Sequence, residues 1–405
     1  NNIVYTVTTE DNATKGYAVV FESPQKTGLP LMKIDTQGGV AIASKETYVY
    51  TNIKIVDPNN AAYNVELTGY KDRIRGRGNA TWSYPKKPYK IKLDKKTDML
   101  GMGKDKDWVL LANYCDKTLL RTAIAFKLGE LLEFPWTPKA RFVELFLNGE
   151  YMGNYQLVEG IKQGDDRVDI PETGYIVERD GYYLSEPRYF VTNDSYGYSF
   201  KNPDTDDLTD DQWNYIRDYM NEFESALGSG SFADPVNGYS KYIDTESFAK
   251  WFLFQNILAN MDTNPFLVKA DDTYTTQLFM GPVWDFEWSI GIGWYDGSRP
   301  RPADYWVQNG WYFAKLLTDD VFVGKLQNLW NQNKTLVRQE ILQFIDDTKD
   351  EIMKSQVMNF RRWDILNDRI SVGGIPLGSF EAEVTCDSQF FINHMDWLDT
   401  AINEL

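Results

Sequence analysis

The sequence predicts an α+β fold in two lobes, the first rich in strands and the second rich in helices. Three observations carry this. Up to about residue 160, β-branched and aromatic runs bounded by turn residues recur, among them residues 18–21, 48–55 and 89–93. Asn148-Gly149 separates two further runs, 140–147 and 151–158, which is a strong hairpin signal. From about residue 207 the apolar spacing turns helical, over 209–227, over 245–259 and in several segments between Trp311 and Leu405.

One helix interrupts the strand-rich part. Asp116 is placed to cap it, and Leu120, Ile124, Leu128 and Leu131 follow at helical spacing as far as about Leu132. Residues 161–205 are mixed, with short strands at 175–178 and 189–192 between Asp- and Gly-rich turns. Asp244 caps the helix over 245–259, with Phe248 and Phe252 on its apolar face. The chain then divides into a strand extension over 1–48 that packs on the small lobe, a small β-rich lobe with one helix over 49–160, and a larger, mainly helical lobe over 161–405 with an inserted strand region. Phe390, Phe391, Met395, Trp397 and Leu398 read as core of the C-terminal helices, to which no catalysis is assigned.

Bulk properties exclude several classes. A formal charge of −17 argues against a nucleic-acid binder, because only one local basic patch, roughly Lys71 to Lys106, could offset phosphate repulsion. Two cysteines, Cys115 and Cys386, and one histidine, His394, cannot make an ordinary zinc site without carboxylates. The lone histidine sits in Phe390-Phe391-Ile392-Asn393-His394-Met395, which reads as packed helix. Spacing leaves open whether the cysteines pair or stay as buried thiols. No run of eighteen apolar residues exists to span a membrane. The chain begins at Asn1 without Met, and its Tyr, Trp, Asn and Asp content resembles secreted proteins. The expectation is a monomeric, secreted or cell-surface protein whose signal or lipoprotein segment has been removed.

The basic patch is the first chemical feature. Arg75-Gly76-Arg77-Gly78 is a glycine turn flanked by arginines, in which backbone N–H groups could approach an anion while Arg75 and Arg77 add charge. In the strand that follows, alternation puts Tyr89, Ile91 and Leu93 on one face, with Lys90 and Lys92 on the other. Extended backwards, the alternation points Lys87 inward, where it must find a carboxylate or a phosphate; Lys90 is the competing candidate. An exposed edge strand kept soluble by lysines explains the same residues.

The acidic features lie far downstream. Asp262 and Asn264 follow an apolar helix, where such residues also serve as caps and turn formers. Asp285 lies between Trp284 and Phe286 within a hydrophobic run, and carboxylates in such runs pair or bind metal. Glu287 shares its face if the segment is extended. A hairpin of 277–279 with 283–286 would bring the acids to one end. Anion-holding cations, metal-holding carboxylates and a base are what phosphoryl transfer requires. Paired carboxylates with thirteen tryptophans and twenty-five tyrosines also fit glycoside chemistry, but the basic patch has no use on a neutral glycan. A small β-lobe with one helix followed by an α-lobe is the protein-kinase plan in outline.

Taken together, the blocks resemble the spore-coat CotH kinase family. They are 77–82 (Arg-Gly-Asn-Ala-Thr-Trp), 86–93, 107–114 (Asp-Trp-Val-Leu-Leu-Ala-Asn-Tyr), 116–121, 142–153 and Trp284-Asp285-Phe286-Glu287-Trp288, in order. The resemblance implies a bilobal, atypical protein-kinase-like fold that uses ATP with Mg²⁺ or Mn²⁺ to phosphorylate proteins, typically on serine. It implies Asp262 as the catalytic aspartate and Asp285, with Glu287 and Asn264, as metal ligands. Arg75, Arg77, Lys87 and Lys90 would hold phosphate, and 158–160 would be the interlobe hinge, where Glu159 would bind the nucleotide cofactor. The pattern departs at Glu287, where family members carry Asp, and Asn260-Met261-Asp262 replaces a His-Arg-Asp triplet. A catalytically inactive binding or assembly protein is the alternative, with a carbohydrate-active or carbohydrate-binding protein behind it. Asp116 reads as a helix cap before a catalytic acid, and Arg121 pairs either with Asp116 or with a phosphate. Glu144 and Glu159 read as hairpin and hinge residues with backbone roles.

Overall fold

Seven strands of the first 160 residues close on themselves. In a computed structural model, which describes residues 2–8, 14–20, 26–292, 310–370 and 374–405, the chain begins with a two-stranded antiparallel ribbon, β1 (Asn2–Thr8) with β2 (Thr14–Val20). The barrel is built from β3 (Leu31–Thr36), β4 (Val49–Val56), β5 (Val65–Gly76), β6 (Tyr89–Asp98), β7 (Lys104–Leu111), β8 (Ala140–Leu147) and β9 (Glu150–Glu159). Its order is β3-β4-β5-β6-β7-β9-β8, closed by a parallel pairing of β3 with β8. Met32, Ile34, Ile53, Ile55, Ile74, Ile91, Leu93, Trp108, Leu145 and Leu157 fill the interior, each at an alternate position of its strand. The boundary placed at 48/49 therefore cuts this barrel, because β3 is one of its strands.

The Asn148-Gly149 turn joins β8 to β9 as expected, with φ of 51° and 82°, the left-handed values a two-residue hairpin demands. Two helices interrupt the barrel sequence: α1 (Ala80–Ser83) and α2 (Arg121–Leu131). The second starts five residues later than expected, because Asp116 holds a turn ahead of it. Leu120, Ile124 and Leu128 of this segment pack into the core of the helical half, not into the barrel.

Beyond the barrel lies an antiparallel sheet ordered β11-β12-β10-β13-β14. Its strands are β10 (Tyr175–Arg179), β11 (Tyr189–Val191), β12 (Gly197–Asn202), β13 (Phe266–Lys269) and β14 (Leu278–Met280). The helices are α3 (Asp210–Gly228), α4 (Thr245–Leu258), α5 (Phe313–Leu316), α6 (Asp320–Glu351), α7 (Met353–Arg362) and α8 (Phe380–Asn403). Thr209 and Gln212 form a reciprocal capping box on α3, and Asp244 caps α4 through the Ser247 amide. The expected hairpin of 277–279 with 283–286 does not form. β14 pairs instead with β13, and 283–286 is irregular.

His394 is buried in α8 between the rings of Phe390 and Trp397 and bonds the Asn256 carbonyl, a packing role. No disulfide joins Cys115 to Cys386. Phe390, Phe391, Met395 and Leu398 are buried as expected.

Candidate active site

A cleft of about 1670 Å³ separates the outer faces of β5–β7 from the second sheet and the 284–288 segment. On β5 the even positions Ile74 and Gly76 are buried, so Arg75 and Arg77 face out and line the cleft. The guanidinium of Arg77 lies 5.5 Å over the Trp284 ring. Burial lowers its pKa, while Asp285, then Glu178 and Glu287, pull it back up. Arg75 stacks on Tyr48 at 5.1 Å.

The glycines of this turn serve packing. A Cβ on Gly76 would lie 2.3 Å from the Trp82 ring, and one on Gly78 would lie 2.1 Å from Thr81 Oγ1. The Gly76 amide already donates to Ser44 O and the Arg77 amide to Pro88 O. Of the expected anion cradle of backbone N–H groups, the Gly76 and Arg77 amides are therefore spent on the fold.

The inward lysine is Lys86, and Lys87 is not. β6 begins only at Tyr89, so strand alternation does not extend back through Pro85 to Pro88. Lys86 is 1 % exposed. Its Nζ donates to Asn154 O and, at 2.9 Å, to Asn359 Oδ1, and it lies 4.7 Å over the Tyr155 ring. Burial lowers its pKa to about 7, against the pull of Glu287, Glu144 and Asp116. Lys87 instead donates to Trp82 O at 2.6 Å and sits over the Trp82 ring. Lys90 lines the cleft 3.9 Å from Asp107.

Across the cleft stand the acids. After α4, Ala259 turns left-handed and Asn260 ties two segments together: its Nδ2 donates to Gln255 Oε1 and Asp262 O, with a longer contact of 3.4 Å to Asp285 O. The sequence singled out neither Asn260 nor Lys86. Asp262 Oδ1 accepts from Asn264 Nδ2 at 3.0 Å, and burial raises the Asp262 pKa. Asp285 has φ of 69°, so Asp285 and Glu287 are not alternate residues of a strand. The turn nevertheless delivers both to the cleft. Asp285 is open to the cleft yet ringed by protein, and burial, helped by Asp262 and opposed by Arg77, lifts its pKa to about 6. Glu287 Oε1 accepts from the Cys115 amide at 3.1 Å. Burial raises its pKa to about 7, with Asp116 and Asp285 adding and Lys86 opposing.

Glu159 ends β9 and is turned inward. Its Oε1 meets Arg167 Nη1 at 2.8 Å and its Oε2 accepts from the Lys139 amide, while Gly160 and Ile161 line the cleft after it. Burial raises its pKa. Asp116 holds the turn before α2, accepting from the amides of Thr118 and Arg121. Arg121 pairs with Asp116 and, at 2.6 Å, with Asp387, and its Nε donates to Ser289 O.

Among the described residues no group of three or more His, Cys, Asp or Glu side chains is arranged to hold a metal by itself. A nucleotide-bound divalent ion takes several ligands from phosphate and water, and Asp285, Glu287 and Asn264, which all line the cleft, are oxygen donors this chain could offer one. Burial holds Asp285 and Glu287 above their ordinary pKa values, and a cation beside them would favour their ionised forms.

The family model described as CotH kinase protein matches residues 74–400. The chain belongs to the CotH kinase family. No curated protein matches it. As a CotH kinase family member the chain is kinase-like. The match begins at the end of β5 and runs into α8, so it covers the arginine turn, Lys86, the acids and α7. β3 and β4, which complete the barrel, precede it.

Proposed function

We propose that this chain is a Mg²⁺-ATP-dependent protein kinase that phosphorylates serine hydroxyls of protein substrates outside the cytoplasm, with barrel and helical halves as the two lobes of an atypical kinase fold. The observation that carries this is one cleft with cations on one wall and three perturbed carboxylates on the other. Arg77, Arg75 and Lys86 bind the phosphate chain, with Lys86 taking the role that sequence alternation assigned to Lys87. Lys90 extends that basic wall. Asp285, Glu287 and Asn264 hold the divalent ion, which when bound neutralises phosphate charge.

Asp262 is the base. Asn264 occupies its Oδ1, which leaves Oδ2 to accept the proton of the acceptor hydroxyl. Burial raises its pKa and makes it a better base than an exposed aspartate. The segment after Glu159 borders the nucleotide, while Glu159 itself anchors Arg167. No helix among the described residues is long and apolar enough to cross a membrane, and extracytoplasmic action is part of the proposal.

The test is incubation with γ-labelled ATP and Mg²⁺ or Mn²⁺. Wild type transfers label to itself or a model protein. Asp262→Ala keeps nucleotide binding and loses transfer by about 10²–10⁴-fold. Asp285→Ala loses metal-dependent binding. Absence of binding in wild type refutes the reading. One observation favours a non-catalytic nucleotide binder: Lys86 and Glu287 both already have protein partners. Retained binding with no transfer by wild type would establish it.

A further inference from the structure

Among the described residues lining the cleft, two carry a buried side-chain nitrogen or oxygen with no hydrogen-bond partner, Arg75 at Nε and Asn113 at Nδ2. Both atoms are N–H donors. No buried acceptor of a cleft-lining residue is left over among the described residues, so what the cleft lacks is an acceptor-rich ligand.

Asn113 follows β7 by two residues and is 4 % exposed. Its φ of 48° is a left-handed value that asparagine tolerates better than most residues. The register places it at the barrel end that carries the arginines. Leu110 pairs with Tyr89, and just before Tyr89 the Pro88 carbonyl accepts from the Arg77 amide. Two residues on, the Cys115 amide is bonded to Glu287. Asn113 thus sits on the segment that connects the basic wall to the acidic one.

We propose that Asn113 binds the ligand of the cleft directly, its side-chain amide donating to an oxygen of the phosphate chain. This rests on the reading of the cleft as a nucleotide site. An anionic oxygen is the acceptor that such a donor, in a cleft also lined by Arg75 and Arg77, is best suited to meet.

Calorimetric titration with Mg²⁺-ATP and, separately, with Mg²⁺-tripolyphosphate tests it on wild type, Asn113→Gly and Asn113→Asp. Glycine keeps the left-handed backbone and removes the amide. Aspartate keeps the shape and replaces the donor by a negative charge. Asn113→Gly is expected to melt close to wild type and Asn113→Asp, which buries a carboxylate, below it, so both are titrated below the onset of unfolding. Both should bind each ligand about 10- to 100-fold more weakly, aspartate the more so. Wild-type affinity in both variants would overturn the proposal and leave the nucleotide site standing. Loss for ATP with none for tripolyphosphate would overturn the phosphate assignment. Failure of wild type to bind either ligand would overturn the nucleotide reading and this proposal with it.

Discussion

Lys86 Nζ donates to Asn359 Oδ1 at 2.9 Å, joining the segment before β6 to α7 across 273 positions of sequence. The same oxygen accepts from the Asn154 amide of β9 at 3.2 Å. A single side chain of α7 therefore fixes both the buried lysine and the strand beneath it. The C-terminal helices, read from sequence as core alone, reach the cleft through this contact.

Lys86→Ala is expected to weaken Mg²⁺-ATP binding by about tenfold or more, the loss of a charge-assisted contact, while Lys87→Ala leaves it unchanged. Titration calorimetry of the two variants decides which lysine faces the phosphates. The reverse ranking would return the role to Lys87.

The neighbouring lysines show where the sequence was legible and where it was not. Tyr89, Ile91 and Leu93 do face the barrel interior, because a strand imposes a period of two. The period stops at Pro88, and nothing local says that Lys86 turns inward. Caps were readable for a similar reason: Asp244 and the Asn148-Gly149 turn act on residues within a few positions of themselves. The left-handed Asp285 broke the expected pairing with Glu287, since aspartate in that position carries no sign of its φ. Of the two carboxylates that Arg121 holds, Asp116 was one of the partners its sequence position suggested, whereas Asp387 lies 266 residues away, beyond any pattern of spacing. The cleft's acids were found because carboxylates in a hydrophobic run are rare. Their supports, Asn260 and Asn359, were missed because buried asparagines in helices and turns are ordinary.

The carboxylates give a pH dependence with a definite sign. Asp285 is raised to about 6 and Glu287 to about 7, so both take up protons as the pH falls through that range. Metal-dependent nucleotide binding should weaken as pH is lowered from 8 to 5.5. Ligand-free stability responds the other way: between the ordinary value of 4.5 and about 7, the folded state holds a Glu287 proton that the unfolded chain has released. That contribution falls as pH rises through the window. Glu287→Gln should raise the melting temperature more at pH 8 than at pH 5. An equal shift at both values would contradict the assignment.

Arg121 is 2 % exposed and holds two buried carboxylates and a backbone carbonyl. Removing it takes a buried cation away from both Asp116 and Asp387, so Arg121→Met should cost about 3–5 kcal/mol. Asp387→Asn keeps a hydrogen-bonding group of the same shape and should cost less, about 1–3 kcal/mol. Urea unfolding of both variants, with an unchanged slope against denaturant, measures the two losses.

Glu159 separates an architectural role from a ligand-binding one. Its two oxygens are taken by Arg167 and by the Lys139 amide, and Arg167 in turn lies 4.6 Å over the Trp108 ring that closes the barrel core. Glu159→Gln leaves a buried guanidinium without its counter-charge and should destabilise the protein by about 3 kcal/mol. Nucleotide affinity, measured below the onset of unfolding, should stay at the wild-type value. A variant as stable as wild type but weaker in binding ATP would place Glu159 at the ligand instead.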